Sequence, residues 1–339
     1  MNEQYPGAEP LESTPPSIPY KDRSTGLVVF GILTILLGCM AGLLVLLILA
    51  GQAISATTTA TNPQVSFSSL LPAIFMYATL GMALIWLGIG SIKARRWARA
   101  LLLIFSWSWL VIGVVGMISA ALVLPKVLAN LPASGTTGQP ALPAAALDAM
   151  MAFMFLTDGV IFIILPAIWT FFYSSRHVKA TCEWHDSTPR WTDACPLPVL
   201  GLCLWLMFSA LMLLIMPMAG IGVAPFFGVF LTGRPGMIFY LILAALWSCS
   251  AWLLYRLDRR GWWLILIALC LFWASSLLTY SRHDVMEVYH LMGYPEAQIE
   301  QIQKLGLMNG NTMTWMTSLS MLPFLAYLFF IKKYFPRKR

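Results

Sequence analysis

The chain has 339 residues, 59% of them hydrophobic and 10% charged, with a formal net charge of +7 and a mean hydropathy of +0.77. Soluble domains carry about 25% charged residues, and a soluble fold of this balance would leave large apolar patches in water. The composition therefore argues against a soluble enzyme or a nucleic-acid-binding domain, and it reads the excess of cations as topology determinants of a membrane protein.

Residues 1–24 hold Pro6, Pro10, Pro15, Pro16 and Pro19 together with acids. They lack a basic stretch followed at once by an apolar core, so they read as a disordered cytoplasmic tail and not as a signal peptide. A membrane span needs about 20 apolar residues. Eight runs qualify: 26–50, 70–92, 98–124, 149–173, 197–217, 237–256, 261–280 and 314–331. The fifth run continues through IGVAPFFGVFLTGRPG (221–236), whose glycines and prolines predict a loop or a shallow interfacial element instead of a ninth span.

The charges fix an expected orientation. In SIKARRWARALLLI (91–104), Lys93, Arg95, Arg96 and Arg99 stand between the second and third runs, and Arg256, Arg259 and Arg260 stand between the sixth and seventh. With both termini inside, seventeen of the 21 Lys and Arg residues fall on the cytoplasmic side, and only Lys126, Arg234, Arg282 and Lys304 fall outside. Loops rich in Lys and Arg stay cytoplasmic, so the expectation is N-in, C-in.

The basic hairpin returns as WLLYRLDRRGWWLI (252–265). VFGILTILLG (29–38) lines up with VLGLCLWLMF (199–208), and LPAIWTFFY (165–173) with LPFLAYLFF (322–330). The shared order predicts a tandem duplication of a four-span unit, both copies inserted alike. The expected fold is thus an all-α polytopic membrane bundle of two four-helix repeats. It comprises the tail 1–24, a first repeat over 25–175, a cytoplasmic linker over 176–196, a second repeat over 197–332 with an outer helical loop at 281–312, and a basic tail over 333–339. The Arg-Arg-Trp hairpin, about a dozen residues, resembles one found in small, uncharacterised multi-spanning bacterial proteins. The resemblance implies a bacterial inner-membrane protein and carries no functional residues with it.

Four of the six cysteines, Cys39, Cys203, Cys249 and Cys270, lie in apolar runs, and Cys182 and Cys195 share one polar loop. None falls in an outer segment, which is not a disulfide framework.

Three places stand out chemically. Asp158, in MAFMFLTDGVIFIILP (151–166), lies about nine residues into the fourth span, roughly 13 Å deep. A charge there costs about 2.5–3.5 kcal/mol. Asp158 is therefore a candidate proton- or ligand-binding residue, or a neutral acid bonded to groups such as Thr157, Ser106 or Ser108. In SRHDVMEVYHLMG (281–293), His283, Glu287 and His290 have helical spacing that would put two imidazoles and a carboxylate on one face, a candidate zinc site. The same stretch reads as an amphipathic helix lying on the bilayer, and YPEAQIEQIQKLG (294–306) predicts a second outer helix after it. In the linker, Cys182, His185 and Cys195 are three possible ligands at a spacing that fits no common zinc pattern, and Trp184 and Trp191 read as interfacial anchors.

No nucleotide-binding, zinc-protease or nucleophile-elbow motif occurs. The sequence leads to an integral protein of the cytoplasmic membrane with no expected cofactor. It would contact lipids, act as a scaffold through the outer loop, and have no enzymatic activity. The alternative is a small-solute or proton-coupled transporter with its site near Asp158 at the repeat interface.

Overall fold

The computed structural model describes residues 21–57, 67–130, 144–220, 222–294, 296, 299, 300, 303 and 310–335. Residues 1–20 of the tail expected over 1–24, most of the loop at 125–147 and most of the second outer helix expected at 294–306 lie outside these. Among the described residues, seven helical stretches are long and apolar enough to cross a membrane, and the chain is a helical multi-pass protein. The helices are α1 (Ser24–Thr57), α2 (Phe67–Ile92), α3 (Arg96–Asn130), α4 (Ala144–Gly159), α5 (Leu165–Ser174), α6 (Arg176–His185), α7 (Leu197–Met218), α8 (Gly233–Tyr255), α9 (Arg259–Tyr280), α10 (Val285–Leu291) and α11 (Gly310–Ile331). A π-helical turn, Val160–Ile164, joins α4 to α5 within one span. The last expected span is thus a 22-residue helix, α11, outside the seven.

Small residues bring α1 and α2 together. The buried stripe of α1 is Leu27, Gly31, Thr34, Gly38 and Ala41, and α2 answers with Gly81, Leu84, Gly88 and Ser91. This is the seam spacing of a left-handed antiparallel pair, and its glycines let the backbones touch. At the end of the seam the Ser91 hydroxyl donates to the Leu27 carbonyl (3.0 Å) and lies 2.8 Å from the Tyr173 hydroxyl of α5.

The π-turn has a local cause. Pro166 has no N–H to give the Phe162 carbonyl four residues back, and its ring crowds that carbonyl. The helix widens, and the Leu165 N–H bonds Val160 instead. The displaced Phe162 carbonyl leans on Gly113 of α3, where no β-carbon would fit.

Among the described residues two apolar cores form. One gathers Leu27, Leu87, Leu102, Trp169, Tyr173 and Val178. The other gathers Leu200, Leu206, Trp247, Trp262, Ile265 and Leu328. Ile104 and Leu204 pack against both, and Trp205 Nε1 of α7 donates to Ser108 of α3 at 2.7 Å. Helix α11 is held by Trp262 Nε1 donating to the Leu328 carbonyl (2.8 Å) and by the Tyr327 hydroxyl donating to the Pro198 carbonyl (2.7 Å).

The basic hairpins between α2 and α3 and between α8 and α9 share one geometry. Ala94 and Leu257 both sit in the left-handed region, at φ 47° and 55°. Ala94 N–H bonds Ser91 and Arg95 N–H bonds Gly90; Leu257 N–H bonds Leu254 and Asp258 N–H bonds Leu253. Each is a Schellman cap closed without glycine.

Segment 221–236 departs from the all-α expectation. It contains a β-hairpin, β1 (Ala224–Phe226) paired antiparallel with β2 (Val229–Leu231). Its two-residue turn, Phe227–Gly228, has positive φ at both positions (40° and 95°), as a type I′ connection requires.

Candidate functional site

The two ends of the bundle carry different chemistry. At the basic end, helix α6 and the one-turn 3₁₀ helix Trp191–Asp193 fold across the start of α3. Asp186, only 3% exposed, organises this junction. It accepts from Arg190 (Nη2 2.9 Å, Nε 3.3 Å), from the Thr188 hydroxyl (3.2 Å) and from the Arg96 backbone N–H (3.4 Å), and Arg95 Nη1 stands 3.7 Å away. The carboxylate thus caps α3 as well as pairing with cations. Its pKa is held below the usual carboxylate value, chiefly by the hydrogen bonds from Arg190. Arg96 also pairs with Glu183 (3.6 Å) and Asp193 (3.5 Å), and Lys179 with Glu183 (3.8 Å). The Lys21 N–H bonds His177 Nδ1, the Arg23 N–H bonds Thr181, and Tyr255 donates to the Trp191 carbonyl, so the start of α1 and the end of α8 meet the same junction.

A cleft of about 290 Å³ opens in this junction. Its walls include Arg96, Arg99, Lys179, Glu183, Thr192 and Asp193. Cys182 and Cys195 also line it, and burial pushes their thiol pKa values up to about 12 and about 11, so both are protonated at neutral pH. Sequence reasoning took Arg99 only as a topology determinant and missed Thr192. Cys182 and Cys195 do share a wall, but His185 bonds the Thr181 carbonyl through Nδ1 (2.9 Å), and the cleft's walls do not include it.

At the other end, Ser275, Thr279 and His283 climb α9 and its C-terminal turn at four-residue intervals and grip the β-hairpin. Ser275 accepts from the Phe227 N–H (2.9 Å) and donates to the Pro225 carbonyl (3.2 Å). Thr279 accepts from the Gly228 N–H (3.0 Å), and His283 Nε2 lies 3.0 Å from the Gly228 carbonyl. His283 Nδ1 lies 2.7 Å from Glu287 Oε2. Carbonyl and carboxylate are both acceptors, so the ring satisfies both when it carries two protons.

The three outer-loop candidates are therefore only partly brought together. His283 precedes α10 because Asp284 is its N-cap, accepting from the Met286 N–H. His290 turns instead to Glu296 (3.4 Å). Among the described residues no three His, Cys, Asp or Glu side chains gather in a metal-binding arrangement.

Asp158 sits one residue before the last of α4, against the π-turn, and is half-buried. Its expected partners are engaged elsewhere: Thr157 donates to Phe153, Ser106 to Leu103, and Ser108 accepts from Trp205. Its segment packs along α3, whereas the contacts joining the two cores run through Ile104, Ser108, Leu204 and Trp205.

Comparison with known proteins gives no relative: no family model, no curated protein and no solved structure matches the chain.

Proposed function

We propose that this is a non-enzymatic interaction protein of the cytoplasmic membrane. It would span eight times with both termini inside, as a tandem pair of four-helix units. Helix α11, tied to α7 and α9, supplies the eighth span. The paired Schellman hairpins with left-handed Ala94 and Leu257 support the duplication. The cations of segments 21–23, 93–99, 176–190 and 256–260 meeting at one end support the orientation.

The interaction reading rests on the outer hairpin. Its backbone is fixed by Ser275, Thr279 and His283, yet it exposes Phe226, Phe227 and Val229, at 39, 45 and 52%. A rigid apolar tip backed by a bonded scaffold suits docking, because little conformational entropy remains to be lost. The partner surface extends through the loop 281–312. A photo-reactive residue at Val229 tests this in intact cells. A discrete protein adduct that disappears in Phe226→Ser supports the reading, and labelling of lipid alone contradicts it.

A second reading, a small-solute or proton-coupled transporter with its site near Asp158, is favoured by one feature. A π-turn follows the acid, and such turns concentrate at functional sites. Loss of coupled uptake in Asp158→Asn, with folding intact, would support it over the first.

A further inference from the structure

Cations and carboxylates do not balance in the basic-end cleft. Arg96, Arg99 and Lys179 face Glu183 and Asp193. Arg96 pairs with both carboxylates and Lys179 with Glu183, whereas Arg99 feels the charge of Glu183 and Asp193 without forming an ion pair with either. Its Nε is buried and makes no hydrogen bond. Thr192, 2% exposed, lines the same cleft, and its hydroxyl is likewise buried and unpartnered. The thiols of Cys182 and Cys195 bring no charge. A half-buried guanidinium whose Nε makes no hydrogen bond, beside a buried and unpartnered hydroxyl, carries a cost in free energy that a bound acceptor would recover.

The position narrows the acceptor. The cleft lies between the first turns of α3 and α7, with Pro196 and Leu197 in its wall, at the level where a span leaves the apolar layer. Basic pockets between spans at this level hold anionic headgroups. Arginine presents its donors as a planar fork suited to phosphate.

We propose that this cleft binds a phosphate-group anion, with Arg99 donating from its guanidinium, Thr192 from its hydroxyl, and Lys179 adding charge at the rim. The chemistry fits the headgroup of an anionic phospholipid and a free phosphate alike. One excess cation matches a singly charged phosphodiester. Bound there, the anion would tie the linker to α3, so occupancy would tighten the junction between the two halves.

The test uses full-length protein in lipid nanodiscs and in detergent, as wild type, Arg99→Gln, Arg99→Lys and Thr192→Val. Native mass spectrometry counts retained phosphatidylglycerol against phosphatidylcholine, and thermal melting is followed with and without inorganic phosphate. Selective phosphatidylglycerol retention, cut at least tenfold in Arg99→Gln and partly kept in Arg99→Lys, assigns the site to a lipid headgroup. Stabilisation by phosphate with no lipid selectivity, lost in the same variant, assigns it to a free anion. If wild-type protein retains neither, or Arg99→Gln and Thr192→Val bind as well as wild type, the proposal is overturned. The wild-type arm decides even if a variant fails to fold.

Discussion

Gly31 and Gly88 meet backbone to backbone across the α1–α2 seam. A β-carbon on Gly31 would stand 2.8 Å from the Gly88 carbonyl oxygen, and one on Gly88 would stand 2.7 Å from that of Gly31. Gly38 and Gly81 repeat the relationship seven residues along, at 2.9 and 3.0 Å. Neither contact can relax by turning a side chain, so the helices must separate to admit a methyl group. Gly31→Ala and Gly88→Ala should each destabilise the protein by about 1–3 kcal/mol. Gly116→Ala, on an exposed part of α3 with nothing within 4 Å, should be neutral or stabilise by roughly 0.5–1 kcal/mol. Denaturation in mixed micelles compares the three.

The Ser91 hydroxyl gives an asymmetric pair of variants. It donates to Leu27, so the Tyr173 hydroxyl must donate to it. Ser91→Ala would leave the buried Tyr173 hydroxyl without an acceptor and should cost about 1–3 kcal/mol. Tyr173→Phe keeps the Ser91–Leu27 bond and should cost less. The order of the two melting temperatures checks the direction.

Asp186 makes the linker sensitive to acid. Its pKa is lowered in the folded protein, so the carboxylate stabilises the fold above the unfolded value of about 3.9 and loses that contribution as pH falls through the lower folded value. Asp186→Asn should remove the contribution at neutral pH. Trypsin cleavage after Arg190 should then quicken severalfold at pH 7, while the wild type's melting temperature should lose this contribution only as the pH drops below about 4.

Burial also governs the linker thiols. With pKa values of about 12 and about 11, Cys182 and Cys195 present almost no thiolate at pH 8. Iodoacetamide should leave both unmodified in native protein and modify both after unfolding, as peptide mass spectrometry would show.

The helices were readable because a span must satisfy its backbone internally and expose apolar side chains, which leaves a signal within each run. Pairings between distant segments leave no such signal. Arg95 and Arg96 meet Asp186, Glu183 and Asp193 about 90 residues away in the chain, and nothing local distinguishes them from cations that only set topology. The β-hairpin was hidden by its own Gly and Pro content, though Phe227–Gly228 follows three apolar-rich residues in the manner of a turn. The outer-loop spacing misled because helical periodicity was extended back over Asp284, whose N-cap role and the Glu287 three residues on were visible in the sequence. The π-turn could have been found from Pro166 within an apolar run.

The sidedness of the two ends is the claim on which the functional reading rests. Single cysteines placed at Trp184 and Val229, 60% and 52% exposed, in a background freed of the native six, would be probed with a membrane-impermeant maleimide. Val229→Cys should be labelled in intact cells and Trp184→Cys only after permeabilisation. Labelling of both from the same side, or the reverse pattern, would contradict that sidedness.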